Sequence, residues 1–392
     1  MLFLAACHPN PKNILEKSFE KCQSIKNGHY EMRKYLKLMS SIDTLMFTHT
    51  TDFLKLDNDS LYSFAFHSHL SSETTGDLNL IYTGDSVAVY TGSMGQFVSV
   101  KNNENIIKNN YIKNLPFSPY WPVTNNDSYP LPNSLILNLD SVDIQFIGNE
   151  IVENIQCYHI KVKTSPDYDK STIKHLVEKL EYNYWISRED YIPVQFTISR
   201  DIKLEKHTTN EYEKYTLTKY EFNKFNDKSA FTLQSIPSHV AMSEFVELPN
   251  QSLEIGEIAP DWNLKSTQDE AFILSDMKEN LILLDFFYNS CPPCIDILHD
   301  LNYLHEKYGK DGLKVFGINS TNNRKEIDYF INRYGVEYPV LIGNEETPRQ
   351  YQVFAYPSSF LIDTNGKIIY QHVGPFSNDE KLKLEKIIVE NL

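Results

Sequence analysis

Leu281-Ile282-Leu283-Leu284-Asp285-Phe286-Phe287-Tyr288-Asn289-Ser290-Cys291-Pro292-Pro293-Cys294 is the stretch on which the fold turns. Residues 281–288 are apolar or aromatic apart from Asp285, the pattern of a central strand buried on both faces. Two cysteines spaced C-x-x-C follow, and Ile295, Leu298, Leu301 and Leu304 then fall along one side of an expected helix. Pro292 and Pro293 suit a helix's first turn, where their missing N–H groups are not needed. A cysteine at that point meets unpaired amides and the positive end of the helix dipole, which favour the thiolate. The thiolate is the form that attacks a disulfide. Cys291 is therefore the expected nucleophile, held at an open helix end within reach of solvent. Cys294, one turn on, is placed to resolve the mixed disulfide.

Downstream, the elements alternate. Residues 314–319 read as a second buried strand, and Asn323 with Glu326 forms a capping pattern. A helix with Ile327, Phe330, Ile331 and Tyr334 on one face then stops at Gly335. A short strand at 338–342 and a helical turn at 346–351 come next. Strands at 359–362 and 368–371 flank Asn365-Gly366, a strong hairpin signal, and Ser377 with Glu380 caps a last helix. The order is β-α-β-α, an inserted β-α, a hairpin and a closing helix. This order resembles the thioredoxin fold with the insertion of its extracytoplasmic relatives. Gly256 to Pro260, Asp285 six residues before the first cysteine, the C-x-x-C and Tyr356-Pro357 ahead of a strand carry the resemblance further. In these features residues 255–392 are similar to the TlpA-like thiol-disulfide oxidoreductases.

The resemblance implies roles for particular residues. Asp285 would relay the proton to and from the resolving Cys294. A carboxyl inside an apolar run is costly to ionise, and burial raises its pKa; the other reading is an Asp turned outward to a salt bridge. Pro357 would be the family's cis-proline, with the backbone of Tyr356 pairing with an extended substrate strand; the other reading is an ordinary trans turn proline. The redox-active disulfide Cys291–Cys294 would need no further cofactor. Partners would be client proteins with disulfides and a membrane or soluble electron donor. Ser290 stands where thioredoxins usually carry Trp, which leaves the surface around the thiol and the redox potential open. A zinc site is the rival reading, since His299 and His305 follow at C-x₂-C-x₄-H-x₅-H. On a continuous helix His305 lies roughly 16 Å beyond Cys294, too far for one ion to reach all four. No metal is expected. A peroxiredoxin is disfavoured as well, because Cys291 lacks the Pro-x-x-x-Thr/Ser-x-x-Cys pattern.

Upstream, 392 residues are too many for one ordinary core, and two domains are expected. The boundary falls in residues 236–254, rich in Pro, Ser and Glu without periodicity. A helix over 14–26 with Leu15, Phe19, Cys22 and Ile25 near one face opens the first domain. Strands are expected at 61–66, 78–82, 87–90, 97–100, 142–147, 156–162, 182–186, 191–198 and 212–222, with a long Pro- and Asn-rich loop at 114–133. A helix followed by a β-meander over 14–235, with Tyr184-Trp185-Ile186 and Tyr191-Ile192-Pro193-Val194, resembles the half-barrel of LolA-like lipoprotein carriers. That likeness would imply a concave apolar face able to hold an acyl chain or a partner; a sheet core that binds nothing is the other reading. The fold class is thus an α/β thioredoxin-like C-terminal domain preceded by a mostly antiparallel β (half-barrel, α+β) domain.

Composition narrows the function classes. A formal net charge of −15, without a basic stripe, argues against nucleic acid. No stretch reaches the length of a membrane-spanning helix. Five cysteines are too few for a disulfide scaffold; Cys22 and Cys157 sit in apolar patterns, as buried thiols or as a pair. Residues 1–13 read as a shortened export signal and tether. Leu4-Ala5-Ala6-Cys7 resembles the lipobox of bacterial lipoproteins, which would make Cys7 the lipid-bearing residue and membrane anchor. It lacks a preceding Lys or Arg, and its apolar run is short. Two functions follow. One is an extracytoplasmic, membrane-anchored protein thiol-disulfide oxidoreductase, expected to be a reductase on the periplasmic side. The alternative is an apolar-ligand or lipoprotein carrier with an accessory redox domain.

Overall fold

The computed structural model describes residues 9–39, 41–57, 59, 61, 64–72, 76–101, 142–168, 176–203, 208–224, 231–244, 253–320, 323–344 and 346–392. Cys7 and its lipobox, the 114–133 stretch and residues 245–252 of the 236–254 linker lie outside them. The chain divides into two compact units, one formed by residues 1–37, 44–203 and 209–247, the other by 248–392 with the short segments 38–43 and 204–208.

In the first unit, helix α1 (Pro11–Gln23) starts where the Asn10 side chain accepts from the amides of Lys12 and Asn13, and it buries Ile14, Leu15, Ser18 and Cys22. β1 (Asn27–Lys37), β2 (Leu45–Lys55), β3 (Phe64–Ser72), β4 (Gly76–Tyr82), β5 (Ser86–Thr91) and β6 (Met94–Ser99) follow as neighbours in sequence and in space. A second run comprises β7 (Asp143–Val152), β8 (Ile155–Thr164), β9 (Val177–Ser187), β10 (Pro193–Lys203) and β11 (Thr208–Phe222). Antiparallel pairing of β1 with β11 joins the two runs into one open twelve-stranded sheet, with β7 and β12 (Ala241–Glu244) at its edges. The sheet does not close into a barrel. β12 runs parallel to β6 and lies in residues read from sequence as linker.

β1 and β2 escape the sequence reading because polar residues occupy their inward positions. Inward β1 presents Tyr30, Met32 and Lys34, and inward β2 presents Phe47, His49, Thr51 and Phe53. Lys34 and Arg200 are 5 % and 3 % exposed, and both meet Glu213 of β11. Arg200 Nη1 donates to Glu213 Oε1 at 2.8 Å, the Tyr215 hydroxyl donates to Oε2 at 2.5 Å, and Lys34 Nζ lies 3.4 Å from Oε2. Burial alone would raise the Glu213 pKa, but Lys34 and Arg200 outweigh it and hold the carboxyl down at about 2. Such a charge cluster is stable only as a complete set.

In the second unit, the hairpin β13 (Asn263–Ser266) and β14 (Ala271–Ile273) leads into β15 (Leu281–Phe287), each of whose seven residues is buried. Helices α2 (Pro292–Asp296) and α3 (Leu298–Tyr308), β16 (Leu313–Asn319), α4 (Arg324–Tyr334), β17 (Val340–Ile342) and α5 (Glu346–Gln350) come next. β18 (Ser358–Ile362), β19 (Ile368–Val373) and α6 (Asn378–Asn391) complete the unit. The seven-stranded sheet has the order β14-β13-β17-β16-β15-β18-β19, with β15, β16 and β17 parallel and β18 antiparallel to β15. This is the thioredoxin-like arrangement, preceded by a β13–β14 hairpin that the sequence reading did not separate. The caps fall as the sequence implies: Asn323 accepts from the Glu326 amide, Ser377 from the Glu380 amide, and Gly335 ends α4 at φ 66°. The one continuous helix expected after Cys294 is broken at Ile297, which caps both α2 and α3. Ile282, Leu284 and Phe286 form one face's core with Phe316, Ile318, Phe360 and Tyr351; Asp285 points to the other face.

Candidate functional site

β15 delivers the chain to Cys291, the N-cap of α2, with prolines in the first turn. Cys291 and Cys294 form a disulfide, with Cα atoms 5.2 Å apart. The backbone amide of Cys294 points at Cys291 Sγ at 3.2 Å, and the amides of Cys294 and Ile295 both donate to the Cys291 carbonyl at 3.1 Å. An amide aimed at this sulfur favours its anion once the disulfide opens. Both cysteines are fully buried, so the solvent reach expected of Cys291 is absent in this oxidised state. An attacking thiol gains access only after the covering groups move.

The antiparallel register sets β18 against the strand that leads into the dithiol. Phe286 pairs with Ser358 and Asp285 with Ser359, so the start of β18 lies against the end of β15. Just ahead of β18 the Tyr356–Pro357 peptide is cis. The Tyr356 ring meets Tyr288 edge-on, with centroids 5.4 Å apart, at a partly exposed surface. Tyr288 was not singled out in the sequence.

Asp285 is fully buried and turned inward, not out to a salt bridge. Its Oδ1 accepts from Ser359 Oγ at 3.4 Å, while Oδ2 meets no hydrogen-bond partner among the described residues. Burial pushes its pKa well above the ordinary carboxyl value, and the Ser359 contact opposes this only weakly. Between the ordinary value of 3.8 and the raised folded-state value, the unfolded chain loses this proton while the folded chain keeps it, so stability falls as pH rises through that window. Asp285→Asn, which has nothing to ionise, is expected to gain stability relative to the parent as pH rises from 4 to 7. Urea titration at pH 4 and pH 7 checks this; a gain no larger at pH 7 than at pH 4 counts against a buried, proton-holding carboxyl.

Cys22 and Cys157 are both free, buried thiols, each pushed up to about 12, chiefly by burial. They lack the environment of a reactive cysteine. In the first unit, a cavity of about 490 Å³ is lined by Glu31, Met32, Arg33, Thr48, His49, Thr50, Glu153 and Thr218. With Met32 its one apolar lining residue, it is a poor fit for an acyl chain. No helix among the described residues is long and apolar enough to cross a membrane.

Residues 255–371 match the AhpC/TSA family. The thioredoxin-like protein YneN of Bacillus subtilis is 30% identical over 131 residues, which cover 33% of this chain and 76% of that protein. The thiol-disulfide oxidoreductase ResA of Bacillus anthracis is 28% identical over the same shares of both chains. Among solved structures, a candidate thiol:disulfide interchange protein DsbE from Chlorobium tepidum is 34% identical, covers 36% of this chain and 99% of its own, and has a TM-score of 0.33. With its C-x-x-C disulfide at a helix start, its buried aspartate and its cis-proline, the chain belongs through residues 255–392 to the TlpA-like thiol-disulfide oxidoreductases of the thioredoxin superfamily.

Proposed function

We propose that this chain is an extracytoplasmic, membrane-anchored thiol-disulfide oxidoreductase that reduces disulfides in client proteins. The observation that carries the reading is the Cys291–Cys294 disulfide at the start of α2, backed by buried Asp285 and flanked by the cis Tyr356–Pro357 peptide. In its reduced form the Cys291 thiolate attacks a client disulfide and releases one client sulfur. Cys294 then attacks Cys291 and frees the other, its proton passing to Asp285 when that carboxyl is ionised, its raised pKa making it the stronger base. The backbone of Tyr356, next to Pro357, offers an edge for an extended client segment. A membrane or soluble dithiol partner then reduces the disulfide again. The anchor rests on Leu4-Ala5-Ala6-Cys7 alone, as a lipid-bearing cysteine. The relatives named as thiol-disulfide oxidoreductases favour this reading over the lipid-carrier alternative, and we assign the first unit the positioning of the dithiol or the selection of clients.

Cys294→Ser, produced in a bacterial host with its full N-terminus, is expected to accumulate mixed disulfides through Cys291 in the membrane fraction. Reducing agent should release the captured clients, and an added Cys7→Ser should move the adducts to the soluble fraction. No adduct in any fraction counts against protein clients. Adducts that are soluble with Cys7 intact count against the anchor only.

A further inference from the structure

Six buried polar atoms of the second unit meet no hydrogen-bond partner among the described residues, and three of them are Asp285 Oδ2, Tyr338 Oη and His305 Nδ1. These three are neighbours. Asp285 on β15 pairs in register with Gly317 on β16, which pairs with Val340 on β17, two residues beyond Tyr338. Glycine at 317 clears the space beside Asp285: a Cβ built there would stand 3.2 Å from Tyr338 Cε2 and 2.9 Å from Phe287 Cε1. The Tyr338 ring also meets the His305 imidazole of α3 edge to face, with centroids 6.4 Å apart at 63°. Exposure rises along the row, from Asp285 at 0 % through Tyr338 at 3 % to partly exposed His305. Ser359 faces Asp285, while Lys314 and Glu337 face His305.

A lone buried polar atom without a partner costs about 1–3 kcal/mol, so three in a row are a costly feature unless water bridges them. We propose that Asp285, Tyr338 and His305 form a water-bridged proton path that links the carboxyl behind the dithiol to solvent past α3. This rests on the reading that Asp285 takes the Cys294 proton. As Cys294 attacks Cys291, its S–H bond breaks, the Cys291–Cys294 bond forms, and the client sulfur leaves with the electron pair of the broken mixed disulfide. The proton goes to the Asp285 carboxylate, then through water to the Tyr338 oxygen, whose own proton moves on to His305 and to bulk water. No electron travels along the path. When the disulfide is reduced again, the same groups return a proton to Cys294. Tyr338 and His305 are relay residues, acting through Asp285.

The test uses the full chain in a Cys7→Ser background, reduced and mixed with 5,5′-dithiobis(2-nitrobenzoate). Release of the first thionitrobenzoate reports attack by Cys291, and release of the second reports resolution by Cys294. Tyr338→Phe is expected to leave the first release unchanged, slow the second about tenfold and raise its solvent deuterium isotope effect. His305→Gln, on a partly exposed helix position, should slow the second about threefold and covers the case in which Tyr338→Phe folds poorly. Wild-type second release and isotope effect in both variants, with Asp285→Asn slow, overturn the path and leave the role of Asp285 standing. A wild-type rate in Asp285→Asn overturns that role, and the path with it.

Discussion

Cys291→Ser is expected to bring insulin-disulfide reduction, driven by dithiothreitol, down to the uncatalysed rate, a loss of at least about 10³-fold. A serine hydroxyl does not ionise near neutral pH, and its oxygen cannot form the mixed disulfide through which exchange proceeds. The amide that points at Cys291 Sγ from Cys294 would still be present, so binding at the site survives while chemistry stops. Cys294→Ser should differ in kind: it keeps the first attack and stalls at the mixed disulfide. Activity in Cys291→Ser above a tenth of wild type would place the chemistry elsewhere in the chain. Because Cys291 is covered in the disulfide form, reduction of that disulfide by a bulky thiol should also be slower than by a small one.

Glu213→Gln is expected to destabilise the first unit by about 3–5 kcal/mol, since it leaves buried Lys34 and Arg200 facing a neutral amide. Urea titration of the full chain, followed by a signal from the β-rich unit, measures it. The pH dependence gives a second readout. With Glu213 held at about 2 against an ordinary 4.5, its contribution is complete above pH 4.5 and is lost as pH falls toward 2. The variant should lack that part of the acid dependence. A loss below about 1 kcal/mol would mean that the cluster is solvated and that the inward positions of β1 and β11 are not sealed.

The two units differ in how far their sequences could be read. In the second, each signal was local. Residues 281–288 form an unbroken apolar run, Asn323 and Ser377 cap helices within three residues of themselves, and Asn365-Gly366 closes its own hairpin. The C-x-x-C, the single acid in the apolar run and the proline ahead of β18 marked the candidate site for the same reason. β1 and β2 were missed because Lys34, His49 and Thr51 occupy inward positions where a two-residue pattern calls for apolar side chains. The partners of β1 arrive late in the chain: Lys34 finds Glu213 and Tyr215, and the strand finds β11, some 180 residues on.

By itself, then, the sequence determined the order of elements in residues 255–392, the dithiol, its acid and its proline, since each is written within a turn or a strand. Only the tertiary structure decided that Cys291 is covered when oxidised, that β1 closes on β11, and that Tyr338 and His305 line up behind Asp285. The physical reason is the range of the interaction. Capping, periodicity and turn chemistry act between neighbours in sequence, whereas burial and the pairing of buried polar groups depend on strands and helices that meet only after the chain has folded.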